Sequence, residues 1–272
     1  MEKKEERQEV SAGMKVCRVI GVVLVLAASF TASAQEYLRG DVNNDGHVDV
    51  CDVTCLISYI LTDSWPDEQI VPDNHEYVDL GLPSGTLWAT CNLGASSPEE
   101  FGDYFAWGET DSKDEYTYEN YKWWYFDGDG YRYISKYNNN SYFGPVDGKT
   151  ELELEDDAAY VNWGTSWRMP SYDQVAELVN ICSWQWTQRN GVIGHLLTGP
   201  NGNTMFLPAA GYCDGSSPEY VGTYGNFWSR ALYSSLPDRA FALYLDSQYW
   251  DSEDMSRCVG HVIRAVRSSQ SR

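Results

Sequence analysis

The stretch Asp41–Asp52, DVNNDGHVDVCD, leaves this chain the least freedom. A hard cation such as Ca²⁺ takes about six to eight oxygen ligands, and a short loop supplies them from alternate positions. Counted from Asp41, oxygen-bearing side chains stand at positions 3 (Asn43), 5 (Asp45), 9 (Asp49) and 12 (Asp52). His47 at position 7 has to offer only its backbone carbonyl, and Gly46 sits at position 6, where the loop turns sharply. Val48 is apolar and can pin the loop onto a core. The pattern departs from the common one only at the close, where Asp replaces Glu. A plain Asx/Gly turn needs no such alternation. The spacing therefore predicts a Ca²⁺ site built from Asp41, Asn43, Asp45, His47, Asp49 and Asp52.

Val53, Leu56, Ile57, Ile60 and Leu61 follow at helical spacing and predict an amphipathic exit helix. Only Gln35–Gly40 separates the loop from the apolar segment upstream, too short for an entering helix. The run GDVNNDGHVDVCDVTCLISYIL resembles a dockerin type I repeat. That resemblance implies calcium ligation and a cohesin-like protein as partner. One repeat is present rather than two, and positions 10 and 11, often a hydroxyl pair that touches the partner, are Val50 and Cys51.

Upstream lies a targeting segment. Lys15 and Arg18 precede the apolar run Val19–Phe30, too short to span a bilayer comfortably, and Ala32-Ser33-Ala34 reads as a cleavage site. The expectation is an exported protein (periplasmic, cell-surface or extracellular), with Gln35 as mature start and no stable membrane span after cleavage. A formal net charge of −21 makes nucleic acid and anionic membrane surfaces poor partners. Thr62–His75, with Pro66 and Pro72, reads as a linker. The expected organisation is a signal peptide over 1–34, the calcium loop and helix over 35–61, the linker over 62–75 and a globular domain over 76–268.

In that domain, Pro83-Ser84-Gly85 sits between two short apolar runs and predicts a hairpin-like entry. Residues 110–157 lack periodicity and read as loops. Ser171 with Gln174 forms a capping box, and Val175, Leu178, Val179 and Cys182 supply the apolar face of a helix ending near Cys182. GVIGHLLTGPNGNTMFLPAAGY reads as two strands around Gly199–Asn203, and FWSRALY, RAFALYLD and GHVIRAVR as further short strands. One or two helices among many short strands make an α+β domain.

The blocks YVDLGLPSGTLWATCNLGA, EEFGDYFAWGET, WRMPS, NGNTMFLPAAGY, YGNFWSR and VIRAVR, in that order, look like the Fibrobacter succinogenes major paralogous domain. The resemblance implies a C-type lectin-like fold, with first and last strands paired and long loops on one side. Export permits disulfides, although the spacing of the cysteines does not choose among pairings, and a free, small apolar cysteine is the alternative at each. The resemblance implies Cys91–Cys182 and then Cys213–Cys258.

The leading function class is a non-catalytic binding module, taking carbohydrate or a partner protein. Eleven Trp and twenty Tyr offer flat faces to sugars or fill a core. Trp123, Trp124, Tyr125, Tyr131 and Tyr133, in the loop region, and Tyr249 and Trp250 are the candidate ligand-binding aromatics. Trp88, Trp107, Trp163, Trp167 and Trp228 lie in the family blocks and are expected in the core. The calcium-dependent sugar motifs of true C-type lectins are absent. The second class is a scaffold-docked component of a polysaccharide-degrading system. The third is an enzyme of glycosidase type, for which Glu109 and Asp246 are candidates without a spacing signature. His47, His75, His195 and His261 make no metal-ligand spacing.

Overall fold

The computed structural model describes residues 75–268. The chain divides into two compact units, Met1–Pro72 and Asp73–Arg272, and the described residues all belong to the second. The targeting segment, the calcium loop Asp41–Asp52 with its exit helix, and nearly all of the linker lie outside the described residues.

Among the described residues thirteen strands and two α-helices follow one another, with short 3-10 turns at Ser141–Phe143 and Leu154–Asp156. They are β1 (Tyr77–Asp79), β2 (Thr86–Ala89), β3 (Trp124–Phe126), β4 (Arg132–Ile134), α1 (Ala158–Trp163), α2 (Tyr172–Ile181), β5 (Ser183–Arg189), β6 (Val192–Thr198) and β7 (Thr204–Pro208). Then come β8 (Tyr212–Cys213), β9 (Pro218–Glu219), β10 (Tyr224–Leu232), β11 (Arg239–Asp246), β12 (Trp250–Ser256) and β13 (Val266–Ser268). All strand pairings in the named sheets are antiparallel, in the orders β1-β2-β13, β3-β4, β5-β6-β7, β8-β9 and β10-β11-β12. Small antiparallel sheets with few helices are the architecture.

The helix α2 begins where its capping box predicts. The Ser171 hydroxyl accepts from the Gln174 amide at 3.1 Å, and the Gln174 side chain accepts from the Ser171 amide at 2.9 Å. Val175 and Leu178 are buried on its inner face, and the helix caps at Cys182. The hairpin β6–β7 turns through Gly199–Asn203, where the Asn203 carbonyl accepts from the Gly199 amide. The entry hairpin β1–β2 is also present.

Four features differ from the sequence reading. The loop region 110–157 contains the hairpin β3–β4. SWQWTQR forms β5, and WDSEDMS forms β12. Their alternation is of polar with aromatic or acidic residues, so an apolar count passes over them. GHVIRAVR contributes only β13, with His261 and Val262 held in isolated bridges. The first and last strands do not pair with each other, since β1 and β13 each pair with β2.

The core falls into three clusters. One gathers Trp107, Trp163, Trp167 and Trp228, and a second gathers Leu80, Trp88, Leu178, Leu207 and Leu243. The third holds Tyr116, Tyr121, Trp124, Cys213 and Cys258. The five tryptophans expected inside are all buried. Two arginines are buried with them. Arg257 donates to the Tyr121 hydroxyl at 2.9 Å and to the carbonyls of Tyr137, Pro237 and Lys136 at 3.2, 2.8 and 3.1 Å. Its guanidinium also lies 4.8 Å from the Trp107 ring centroid. A buried cation persists here because carbonyl dipoles and ring faces replace water.

Candidate binding site

The aromatics singled out in the sequence separate into two groups. Trp124 is only 7% exposed and belongs to the third core cluster. Tyr118 stacks on it at 4.8 Å, and the Arg132 guanidinium lies 4.0 Å from its centroid. Trp123 is partly buried, donates its indole N–H to the Gly108 carbonyl at 3.0 Å and carries the Lys122 ammonium at 4.3 Å. Burial closes Trp124, which corrects its reading as a ligand contact, and the Trp123 ring already carries a lysine. On β3, Trp124 turns inward while Tyr125 faces out, stacked on Tyr133 at 5.4 Å. Tyr131, at the hairpin tip, is 67% exposed.

Tyr249 and Trp250 also point opposite ways. Trp250 turns onto the second core cluster, stacked on Trp184 at 5.5 Å and packed against His195. Tyr249 stands on the other face of the β10–β11–β12 sheet. Strand alternation puts Tyr224, Asn226, Tyr244, Asp246, Asp251 and Glu253 on that same face, because Tyr224 pairs with Asp246, Asn226 with Tyr244, and Tyr244 with Asp251. Tyr212 on β8 and Tyr220 after β9 extend the row.

Tyr220, Tyr212 and Tyr224 lie nearly parallel, with centroids 5.0, 5.8 and 6.0 Å apart. Piling three rings face on face would put the outer pair about 7 Å apart, at about 3.5 Å per layer. No pair here reaches that, so the rings form an offset raft rather than a column. From Tyr224 the row continues to Tyr244 at 5.6 Å and to Tyr249 at 6.0 Å, turning by 34° and 44°. Tyr220 and Tyr249, at the two ends, are the most exposed, at 54% and 45%.

Acidic groups hold the phenols. Tyr244 donates to Asp246 at 2.9 Å, Tyr249 to Glu253 at 2.9 Å and to Asp251 at 3.3 Å, and Tyr212 to Glu219 at 3.2 Å. Burial, then the acceptor Asp246, pushes Tyr244 up to about 12, and the Glu253 bond first does the same for Tyr249. Tyr244 and Tyr249 therefore keep their hydroxyl protons across the neutral range. Asp246 is held below the usual carboxylate range, first by the Gln248 amide. No cation–ring contact among the described residues falls on these five tyrosines. The sequence reading found only Tyr249 of this row. A usable signal was there: Tyr244-x-Asp246 and Tyr249-x-Asp251-x-Glu253 repeat an aromatic-then-acid alternation along one strand face.

The other acidic concentration is closed. Glu153, Glu155 and Asp156 bring their oxygens within 4.8 Å of one another, spacing that could hold a metal. The Lys136 ammonium already sits among them at 2.7, 3.2 and 2.6 Å. Glu109 is equally committed, pairing with Lys113 at 2.8 Å and accepting from the Lys122 amide at 2.7 Å. Cys91, Cys182, Cys213 and Cys258 are all free, so neither expected bridge is formed. Cys182 packs in the second core cluster and Cys213 and Cys258 in the third, each as a small apolar side chain.

Residues 39–81 match the family model of the dockerin type I domain. The match takes in the calcium loop, the expected exit helix and linker, and β1. No curated protein and no solved structure matches the chain. No helix among the described residues is long and apolar enough to cross a membrane.

Proposed function

We propose that this is an exported, non-catalytic binding protein. It docks to a cohesin-like partner through a calcium-loaded dockerin segment and carries residues 76–268 as a carbohydrate-recognising domain. The observation that carries the reading is the coincidence of the dockerin match over 39–81 with calcium-ligand spacing at Asp41, Asn43, Asp45, His47, Asp49 and Asp52. Such a protein would work at the cell surface or outside the cell, as a component of a polysaccharide-degrading assembly. A binding rather than catalytic role is supported by Glu109 and Asp246, whose oxygens are taken up by structural partners.

Calorimetric titration of the full chain with calcium, repeated on Asp41→Ala, tests the loop. One equivalent of calcium should bind and be lost in the variant. Capture of a partner by residues 36–65 should disappear in EDTA. Capture that ignores EDTA, or a calcium isotherm unchanged by the substitution, sinks the docking reading.

A further inference from the structure

The row of tyrosines on the β10–β11–β12 sheet has a second peculiarity, in its backbone. Tyr220 adopts φ 57°, in the left-handed region that a bulky L-residue rarely enters. The turn that holds it is tied down. Its carbonyl accepts from the Thr223 amide at 2.9 Å, and the Gly222 amide donates to Ala209. Gly211 packs so closely beneath that a Cβ there would run into the Glu219 carbonyl. The strained residue is the one whose ring is most exposed in the row. Strain kept at an exposed aromatic ring marks a position where the surrounding fold is made to present a side chain. Under the same face, Asn226 is buried and its Oδ1 has no partner in the protein, an acceptor left for a donating hydroxyl or a water.

From these observations we infer that Tyr220, Tyr212, Tyr224, Tyr244 and Tyr249 form an extended binding site for a neutral polysaccharide chain. The chemistry selects that ligand. Sugar rings present flat C–H faces, and a row of gently turning aromatic faces matches several of them in succession, so an oligomer fits better than one sugar. Phenol hydroxyls and the carboxylates of Asp251 and Glu253 supply donors and acceptors for the ring hydroxyls. The acidic rim repels uronates and sulfated glycans. Cationic ligands are favoured by rings that wall a cage. Here successive rings turn by only 23°, 34° and 44°, which makes a surface and not a cage. The site rests on the reading of residues 76–268 as a binding domain, but not on docking.

The test is migration of the full chain in native gels cast with soluble neutral polysaccharides (a mixed-linkage β-glucan, a xyloglucan, a galactomannan). Polygalacturonate gels and polylysine beads serve as the anionic and cationic comparisons. At least one neutral polymer should retard the protein, polygalacturonate should not, and EDTA should leave retardation unchanged. Tyr220→Asn combined with Tyr249→Ala should weaken retardation on the order of tenfold. Asn tolerates the left-handed backbone, and an unchanged melting curve shows the variant folded. Tyr249→Ala alone gives a milder version of the same loss. Retardation untouched by the double variant overturns the site, as do capture by polylysine alone, loss in EDTA, or no retardation by any neutral polymer. Retardation that holds while EDTA-sensitive docking fails leaves the site standing and removes only the docking role.

Discussion

His261 is buried with neither ring nitrogen partnered, 4.4 Å from the Trp228 ring centroid. Burial pushes its pKa down to about 3. In the unfolded chain it titrates near 6.5. Between those values the unfolded state binds a proton that the native state refuses, so stability falls as pH is lowered through that window. One such group contributes a slope of about 1.4 kcal/mol per pH unit. His195, lowered chiefly by burial among Trp184, Trp186 and Trp250, acts in the same direction. His261→Phe should therefore reduce the pH dependence of unfolding free energy, measured in urea between pH 6 and 4, by about one proton. An undiminished slope would show that His261 charges in the native state. A lone histidine in GHVIRAVR gave no hint of this, because the burial comes from Phe105 and Trp228, distant in sequence.

At the scale of elements, what could be read in advance was what local chemistry decides. The capping box at Ser171 and Gln174 satisfies orphan amides within four residues, so α2 was visible before its neighbours were known. Ser171→Ala should cost about 1 kcal/mol in chemical denaturation, and a cost near zero would mean another group caps the helix. The turn at Gly199–Asn203 was legible for the same reason. By contrast, β5 and β12 owe their existence to partners. WDSEDMS has no strand signal of its own and is ordered by pairing along the length of β11. The tyrosine row shares this origin. Its rings come from five separate places in the chain and meet only because β8 and the turn at Tyr220 reach β10, while β10, β11 and β12 pair in register. Trp123-Trp124 looked like a surface patch because two adjacent indoles are conspicuous, yet Trp124 is buried in the third core cluster and lysines lie over the Trp123 ring.

For the molecule as a whole, β2 is the keystone. Trp88 pairs with Val78 on one side and Val266 on the other, and Arg168 bridges to Val266 as well. Removing 266–272 should strip β2 of that partner and expose buried Trp88. The expected result is loss of the cooperative melting transition and of near-ultraviolet circular dichroism. A truncated protein that still melts sharply would show that β13 is dispensable to the cooperative unit.

The two strands that flank β2 run parallel to each other and stand two strand spacings apart, about 10 Å. Because they are parallel, the chain enters beside Ala89 at one end of β2 and leaves beside Thr86 at the other. Polypeptide therefore passes through the domain in a single direction, as a thread passes through a bead, and tension on its two sides would shear both seams of β2 along their length rather than unzip them bond by bond.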